Sequence, residues 1–184
     1  MDAAGFLWQS IRNFKEMGTV VHSSPAMCKK MTAFIDHEKD KIIIELGAGD
    51  GVITQYILDK MAPDARLYSF EINEELCATI REKINDSRLV LINGSAENVE
   101  LYMQQYGVER VDHIISALPF VLFPEALTEN ILMSCRRLLK QGHYFIQMHY
   151  TRNLIKIYQR IFGQVKVFSV LINIPPGYVF KCGS

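Results

Sequence analysis

Hydrophobic and polar positions alternate along the chain with two different periods. Residues 41–49, KIIIELGAG, form a short β-branched run that stops at glycines. In the segment that follows, 51–61, apolar residues recur at helical spacing, at Val52, Ile53, Tyr56, Ile57 and Met61. Short apolar runs bounded by glycine are typical of buried strands, and a 3.6-residue period is typical of helices. This stretch therefore predicts a strand, a tight turn and a helix.

The same succession repeats toward the C-terminus. Further apolar runs predict strands at 66–72, 88–94, 111–118 and 143–150. The helices predicted between them are one capped by Asn73, one near 96–106, one that opens at Pro124 and ends before Gly142, and one capped by Thr151. The last two apolar segments, VKVFSVLINI and YVFKC, are joined by Pro-Pro-Gly. A tight turn there predicts an antiparallel strand pair.

Strands that alternate with helices define the fold class. The pattern predicts an α/β protein with a doubly wound, mostly parallel sheet, right-handed crossovers and an antiparallel C-terminal strand pair. Neither an internal repeat nor a linker interrupts the chain, so residues 1–184 are predicted to form one domain. A ligand of such a sheet is expected beyond the carboxyl ends of its first strands.

Composition and charge narrow the classes of function. Twenty basic residues balance twenty acidic ones, so no global positive field favours nucleic acid, and no nucleic-acid partner is expected. The four cysteines, Cys28, Cys77, Cys135 and Cys182, lie far apart, which predicts neither a zinc site nor a disulfide framework. The start of the chain lacks the features of a cleaved signal, and no apolar run approaches the roughly 18 residues of a membrane span. We therefore expect a cytoplasmic protein.

The glycine turn ELGAGDG indicates a ligand. Glu71 ends the second predicted strand twenty residues after Gly51, where a carboxylate can accept hydrogen bonds from both hydroxyls of a ribose. The turn lacks the third glycine of a dinucleotide fingerprint, and Glu45 before it suits a cationic amine better than a diphosphate. S-adenosylmethionine carries both a ribose and such an amine. A tight turn without a ligand is the alternative.

At this point the sequence resembles the class I S-adenosylmethionine-dependent methyltransferases, whose fold is Rossmann-like. IIIELGAGDG, YSFEI, NGSAEN and HIISALPF are similar to the four motifs of that family. More narrowly, IRNFKEMGTVVHSSPAM, SALPFVLFP and NIPPGYVFK resemble bacterial phospholipid N-methyltransferases, which act on phosphatidylethanolamine. This similarity spans roughly residues 10 to 181. It implies an N-methyltransferase that uses S-adenosyl-L-methionine.

The resemblance also implies which residues bind the cofactor. They are Ser23, Glu45, Gly47, Ala48, Gly49, Glu71, Ile72, Ser95, Ala96 and Ala117. By position, Glu45 and the glycines would hold the methionine end, Glu71 the ribose, and Ser95 with Ala96 the adenine edge. The family often carries Asp where this chain has Ser95, and Glu97 is a substitute for it. In the resembling family the loop that contains Ser23 and Ser24 approaches the methionine end, although Ser24 can equally be a plain cap of a helix that begins at Pro25.

The turn SALPF bears on the methyl acceptor. Enzymes of this fold that methylate the adenine amine place Asn where this chain has Ala117, because a planar, conjugated amine needs an amide and a carbonyl to bind its hydrogens. An aliphatic amine already has a localised lone pair and needs mainly desolvation and alignment. Phe120 would then be an aromatic wall that stabilises positive charge, with a core position as the alternative. His149 or Tyr150 would take the amine's proton, unless the histidine only bonds a neighbouring group.

The N-terminal segment 5–17 predicts an amphipathic helix. Its apolar arc suits either an anionic membrane surface or a lid over the cofactor. The sequence therefore predicts methyl transfer to a lipid amine, specifically phosphatidylethanolamine, by a cytoplasmic protein that can be peripheral on the inner membrane face. The alternatives are methyl transfer to another small molecule or to rRNA adenine, or a cofactor-binding membrane module without turnover. The sequence makes no prediction of the oligomeric state.

Overall fold

The computed structural model describes residues 23–183. Their strands are β1 Ile42–Leu46, β2 Arg66–Glu71, β3 Leu89–Asn93, β4 Val111–Ser116, β5 Leu139–His149, β6 Val165–Val170 and β7 Gly177–Gly183. Their α-helices are α1 Pro25–Thr32, α2 Val52–Lys60, α3 Glu74–Lys83, α4 Val99–Gln105, α5 Glu125–Leu138 and α6 Ile155–Phe162. Short 3-10 helices span Ala96–Asn98 and Phe120–Leu122.

The strands form one sheet in the order β3-β2-β1-β4-β5-β7-β6. Strands β1 to β5 are parallel to one another, whereas β7 is antiparallel to both β5 and β6. The doubly wound, mostly parallel Rossmann-like sheet and its antiparallel C-terminal pair are therefore confirmed. Because the carboxyl ends of β1, β2, β4 and β5 share one edge, residues that follow these strands lie close together. We call this side the carboxyl edge.

Helices cover both faces of the sheet, which is why the central strands are apolar on both sides. On one face, Ile43 of β1 packs with Met27 of α1 and Ile57 of α2. On the other face, Ile44 packs with a cluster that includes Met103 of α4 and Ile131 of α5. Residues one apart in a strand point to opposite faces, so the run IIIEL supplies both cores. It also directs Glu45 toward the face of α1 and α2.

Two predicted helix caps are present. The Ser24 hydroxyl accepts a hydrogen bond from the amide of Met27 at the start of α1. The Asn73 side chain accepts from the amides of Glu75 and Leu76 at the start of α3. Each cap satisfies amides that the first helical turn leaves without an acceptor. The caps fix where these helices begin beside β1 and β2.

Three predicted boundaries were wrong. Strand β5 begins at Leu139 rather than residue 143, because buried Leu139 pairs with Val111 before the register shifts. Thr151 does not cap α6, which begins at Ile155 after a turn. The connection from β6 to β7 spans residues 171–176 and is longer than a tight turn. Its length leaves room for side chains to project at the carboxyl edge.

The predicted N-terminal helix, residues 5–17, lies outside the described residues. None of the helices formed by residues 23–183 is long and apolar enough to cross a membrane.

Candidate functional site

The glycine turn after β1 is held against its neighbours on both sides. The amides of Gly47 and Ala48 donate to the carbonyl of Phe70 in β2, at 2.9 and 3.0 Å. A Cβ on Gly47 would lie 3.0 Å from Leu118 Cδ2, which follows β4. By contrast, a Cβ on Gly49 would meet no atom within 4 Å. The turn is therefore rigid where it contacts the protein and open at Gly49, where a ligand can approach the backbone.

Glu71 lies at the end of β2 and braces this turn. Its Oε2 accepts a hydrogen bond from the Gly49 amide at 2.8 Å, and its Oε1 accepts from the Asn73 amide at 2.9 Å. The side chain is buried. Each carboxylate oxygen can accept two hydrogen bonds, so both oxygens keep acceptor capacity in a fixed orientation. This arrangement suits two neighbouring hydroxyl donors.

Glu45 is a buried carboxylate with one unused oxygen. Oε2 accepts hydrogen bonds from Thr54 at 2.7 Å and from Ser69 at 2.6 Å, whereas Oε1 has no partner among residues 23–183. Burial raises the pKa of Glu45 to about 7, although the hydrogen bonds from Ser69 and Thr54 lower it and the nearby Glu71 and Asp50 raise it. A buried acceptor without a donor is costly. A cationic ligand group would satisfy the oxygen and favour its charged form.

The ends of β2 and β3 form the part predicted to contact an adenine. The Ser95 hydroxyl accepts a hydrogen bond from the amide of Glu97 and caps the 3-10 helix in which Ala96 is buried. The side-chain Nδ2 of Asn93 donates to the carbonyls of Glu71 and Ile72, which fixes the backbone that follows β2. Ser95, Ala96 and Ile72 thus lie on one side of the glycine turn. Their cofactor contacts stay a prediction.

Ser23 lies on the opposite side of the site from this adenine region. Its hydroxyl is 3.5 Å from the Met148 sulfur near the end of β5. The next residue, Ser24, is tied to the loop before β7, because its amide donates to Asn173 Oδ1 at 3.1 Å. The start of α1 is therefore anchored at the carboxyl edge, as expected for the residue predicted to approach the methionine end.

The turn that follows β4 has few unused acceptors. Ala117 has no polar side chain, and the Leu118 carbonyl accepts hydrogen bonds from the Phe120 amide and from Gln147 Nε2, both at 2.9 Å. Gln147 Nε2 also donates to the Met148 carbonyl at 2.7 Å. These two carbonyls fix the orientation of the amide, since a flipped amide would set oxygen against oxygen. Gln147 Oε1 is left buried, with no partner in the described part of the chain.

Gln147 was missed as a site residue. It lies in an apolar strand, and only its pairing with Ser116 at the end of β4 places it beside the turn. A buried amide in an otherwise apolar run is the sequence signal that marks it. Thr54 and Ser69, which donate to Glu45, were also missed, because these contacts depend on how α2 and β2 pack beside β1.

Phe120 lies in the core rather than at an open surface. Its ring is 1% exposed and packs edge-on against the rings of Phe123 and Tyr158, with centroids 5.6 and 6.5 Å apart. This burial favours the core alternative. That its ring contacts a reacting amine stays a prediction.

His149 and Tyr150, predicted as proton acceptors, differ in their surroundings. His149 Nε2 is 2.9 Å from the Tyr158 hydroxyl, and burial lowers the pKa of His149 to about 4. Burial raises the pKa of Tyr150, and its hydrogen bond with Asn173 acts in the opposite direction. A neutral, buried imidazole bonded to a phenol favours a structural role for His149. Their part in proton transfer remains a prediction.

A second group of ionisable side chains lies at the opposite edge of the sheet. The ligand atoms of Asp40, Asp112 and His143 come within 4.8 Å of one another. However, Lys140 Nζ is 2.6 Å from Asp112 Oδ1, and His113 Nε2 is 2.9 Å from Asp40 Oδ2. The carboxylates already have cationic or hydrogen-bonding partners. This group therefore stabilises the start of the sheet and is separate from the carboxyl edge.

Comparisons with known proteins agree with this geometry. Residues 43–142 match the family model described as a methyltransferase domain. The chain is similar to an ornithine lipid N-methyltransferase of Singulisphaera acidiphila, 26% identical over 179 residues, which cover 96% of this chain and 93% of that protein. It is also similar to ribosomal RNA small subunit methyltransferase H of Christiangramia forsetii, 27% identical over 94 residues, which cover 51% of this chain and 30% of that protein.

Solved structures show the same fold. Human methyltransferase-like protein 13, solved in complex with SAH, is 14% identical and has a TM-score of 0.69. The similarity covers 87% of this chain and 82% of that one.

Proposed function

Because the chain belongs to the methyltransferase domain family, we propose that it transfers the methyl group of S-adenosyl-L-methionine to the aliphatic amine of a membrane lipid. It is an S-adenosyl-L-methionine-dependent N-methyltransferase with a class I fold; the lipid acceptor is the proposal. Phosphatidylethanolamine is the acceptor that the sequence motifs favour. An ornithine lipid is the second candidate, favoured by the relative that aligns with nearly the whole chain.

The residues at the carboxyl edge fit the cofactor. Open space above Gly49, the unused Oε1 of Glu45 and the spare acceptor capacity of Glu71 match a ligand with an ammonium group and a ribose. We infer that Glu45 faces the ammonium group, Glu71 the ribose hydroxyls, and Ser95 with Ala96 the adenine. When bound, the cofactor supplies a methyl group on a positively charged sulfur. The protein's part is to hold the methionine end and the acceptor in line.

One observation carries the choice of acceptor: the turn after β4 lacks the acceptors that an adenine amine needs. Ala117 offers none, and both acceptor positions of the Leu118 carbonyl are taken by Phe120 and Gln147. Among the buried side-chain atoms of residues 23–183 that lack a partner, Gln147 Oε1 is the one beside this turn. One acceptor can orient one N–H of an aliphatic amine, whose lone pair is already localised. It does not bind both hydrogens of a planar adenine amine.

Apolar side chains near the turn after β4 would remove water from the acceptor amine. The carboxyl edge near the turn is lined by buried Leu118 and half-buried Ala117 and Pro119. Apolar walls disfavour the charged form of an amine and so favour the neutral nucleophile. The proton that leaves the nitrogen after transfer can pass to water. Activity would then rise with pH as the acceptor amine loses its proton.

The experiment is transfer of labelled methyl groups from the cofactor to separate acceptor pools. The pools are phosphatidylethanolamine in mixed micelles, ornithine lipid in mixed micelles, and small-subunit ribosomal RNA. We expect label in one or both lipids and none in the RNA. Glu71→Ala is the matched control, because it removes a proposed cofactor contact and should lose transfer to every pool. Label in RNA with none in either lipid would contradict the proposal.

A further inference from the structure

The loop between β6 and β7 exposes apolar side chains to solvent and buries a polar one. The side chains of Leu171, Ile172 and Ile174 are 76%, 81% and 82% exposed, whereas the polar Asn173 among them is fully buried. Asn173 Oδ1 accepts from the Ser24 amide, and Asn173 Nδ2 donates to the Pro175 carbonyl at 2.7 Å. The loop is thus anchored by its polar residue while three large aliphatic side chains project outward. Exposed aliphatic clusters of this kind mark interaction surfaces.

The loop lies at the carboxyl edge of the sheet, beside the candidate site. Strand β7 is antiparallel to β5, and Tyr178 at its start pairs with His149 at the end of β5. Residues 171–176 therefore share an edge with the glycine turn and with the turn after β4. The bond from Ser24 to Asn173 also connects the loop to Ser23. A membrane or protein that bound this loop would therefore lie next to the candidate site.

The C-terminal part of the chain, which carries the loop, has basic residues but no acidic ones. All twenty acidic residues of the chain precede residue 130, whereas eight of the twenty basic residues follow it. Arg152 and Lys156 come just after β5 and so lie at the carboxyl edge, and the Arg152 guanidinium is 4.7 Å from the centre of the Tyr178 ring. An aliphatic tip flanked by tyrosine and basic side chains matches the interface of an anionic bilayer, with apolar chains below and negative headgroups above.

We propose that the loop of residues 171–176 inserts Leu171, Ile172 and Ile174 into the surface of an anionic lipid bilayer, with Arg152 and Lys156 against the headgroups. The choice of a bilayer over a protein partner rests on the proposed lipid acceptor and on the basic side chains that follow β5 at the same edge. Docking by this loop turns the carboxyl edge toward the membrane. A lipid amine then reaches the site without leaving the bilayer.

The test is sedimentation of the full chain with vesicles. Vesicles of phosphatidylcholine with phosphatidylglycerol supply an anionic surface, and vesicles of phosphatidylcholine alone supply a neutral one. The variant Leu171→Ser with Ile172→Ser should bind anionic vesicles about tenfold more weakly, since two inserted aliphatic side chains are lost. The matched control is Leu101→Ser with Met133→Ser, two exposed aliphatic residues on helices, which should bind as the parent does. Arg152→Gln with Lys156→Gln should weaken binding to anionic vesicles and reduce its dependence on salt.

Two results would overturn this inference: failure of the full chain to bind anionic vesicles, or equal binding by the loop variant and the parent. Equal binding would leave a protein partner as the occupant of the loop. Methylation of a water-soluble, short-chain lipid amine separates the two proposals, because the loop variant should retain it. If the loop variant loses vesicle binding but the parent methylates no lipid amine, the docking surface stands and the proposed acceptor fails. If the parent methylates a lipid and both proteins bind vesicles equally, only the docking surface fails.

Discussion

Replacing Glu45 with glutamine tests the electrostatics of the site without a cofactor. The glutamine keeps the shape of the side chain, and its oxygen can still accept hydrogen bonds from Thr54 and Ser69. It removes a carboxyl group whose pKa is raised by burial from its ordinary 4.5 to about 7. The folded state therefore holds this proton more tightly than the unfolded state does. The stability that Glu45 contributes is fully present below about pH 4.5 and is lost as the pH rises through 7.

The magnitude follows from the gap between the two pKa values. A gap from 4.5 to about 7 corresponds to roughly 3 kcal/mol of unfolding free energy. The variant has no such group, so the difference in unfolding free energy, Glu45→Gln minus parent, should increase by about 3 kcal/mol between pH 4.5 and pH 8. Taking this difference cancels the contributions of groups common to both proteins.

Denaturant unfolding of both proteins at several pH values, without cofactor, measures this difference. Glu38→Gln is the matched control, because it removes an exposed carboxylate far from the carboxyl edge. Both variants replace a carboxyl group with an amide, so comparing them isolates the effect of burying Glu45. If the difference in unfolding free energy between Glu45→Gln and the parent stays constant across this pH range, the claim that burial disfavours the charged form of Glu45 is refuted.

Four further predictions concern other parts of the molecule. Glu71→Ala should weaken cofactor binding by roughly 1.5–3 kcal/mol in calorimetry, and unchanged affinity would contradict its place on the ribose. Phe120→Ala should cost about 3–5 kcal/mol of folding stability, with turnover following the folded fraction, whereas lower turnover at full folding would support the aromatic wall. Burial lowers the pKa of His149 from its ordinary 6.5 to about 4, so this residue should cost the parent about 3 kcal/mol of unfolding free energy as the pH falls from 6.5 to 4. His149→Phe should not show this loss. A chain beginning at residue 18 should bind anionic vesicles more weakly, since each basic residue near the surface adds about 1 kcal/mol, and equal sedimentation would make the missing helix a lid.

The order of strands and helices was predictable because a parallel sheet covered on both faces imposes apolar runs such as that of β1. The glycine turn and Glu71 were predictable because backbone conformation and strand ends depend on local sequence. The burial of Phe120 and His149 was harder to predict, because local sequence does not say whether a side chain near a strand end points to the core or to solvent. Gln147 illustrates the same limit, since its contact with Leu118 depends on the pairing of β4 with β5.

The boundaries that differ also have physical causes. Helix α5 gives way to β5 at Leu139 because pairing with Val111 overrides the helix predicted over residues 139–141. The turn before β7 extends over residues 171–176 because Asn173 is bonded to Ser24 from a distant part of the sequence. Such long-range hydrogen bonds leave no local signal.

The most direct test of the proposed function is competition between acceptors in one vessel. Purified protein is incubated with trideuteromethyl-labelled S-adenosyl-L-methionine, mixed micelles that contain phosphatidylethanolamine and ornithine lipid, and ribosomal RNA, and each product is analysed by mass spectrometry. We predict that an amine lipid gains deuterated methyl groups on nitrogen while adenine in the RNA gains none. Deuterated methyl groups on adenine, with both lipids unmodified, would contradict the account.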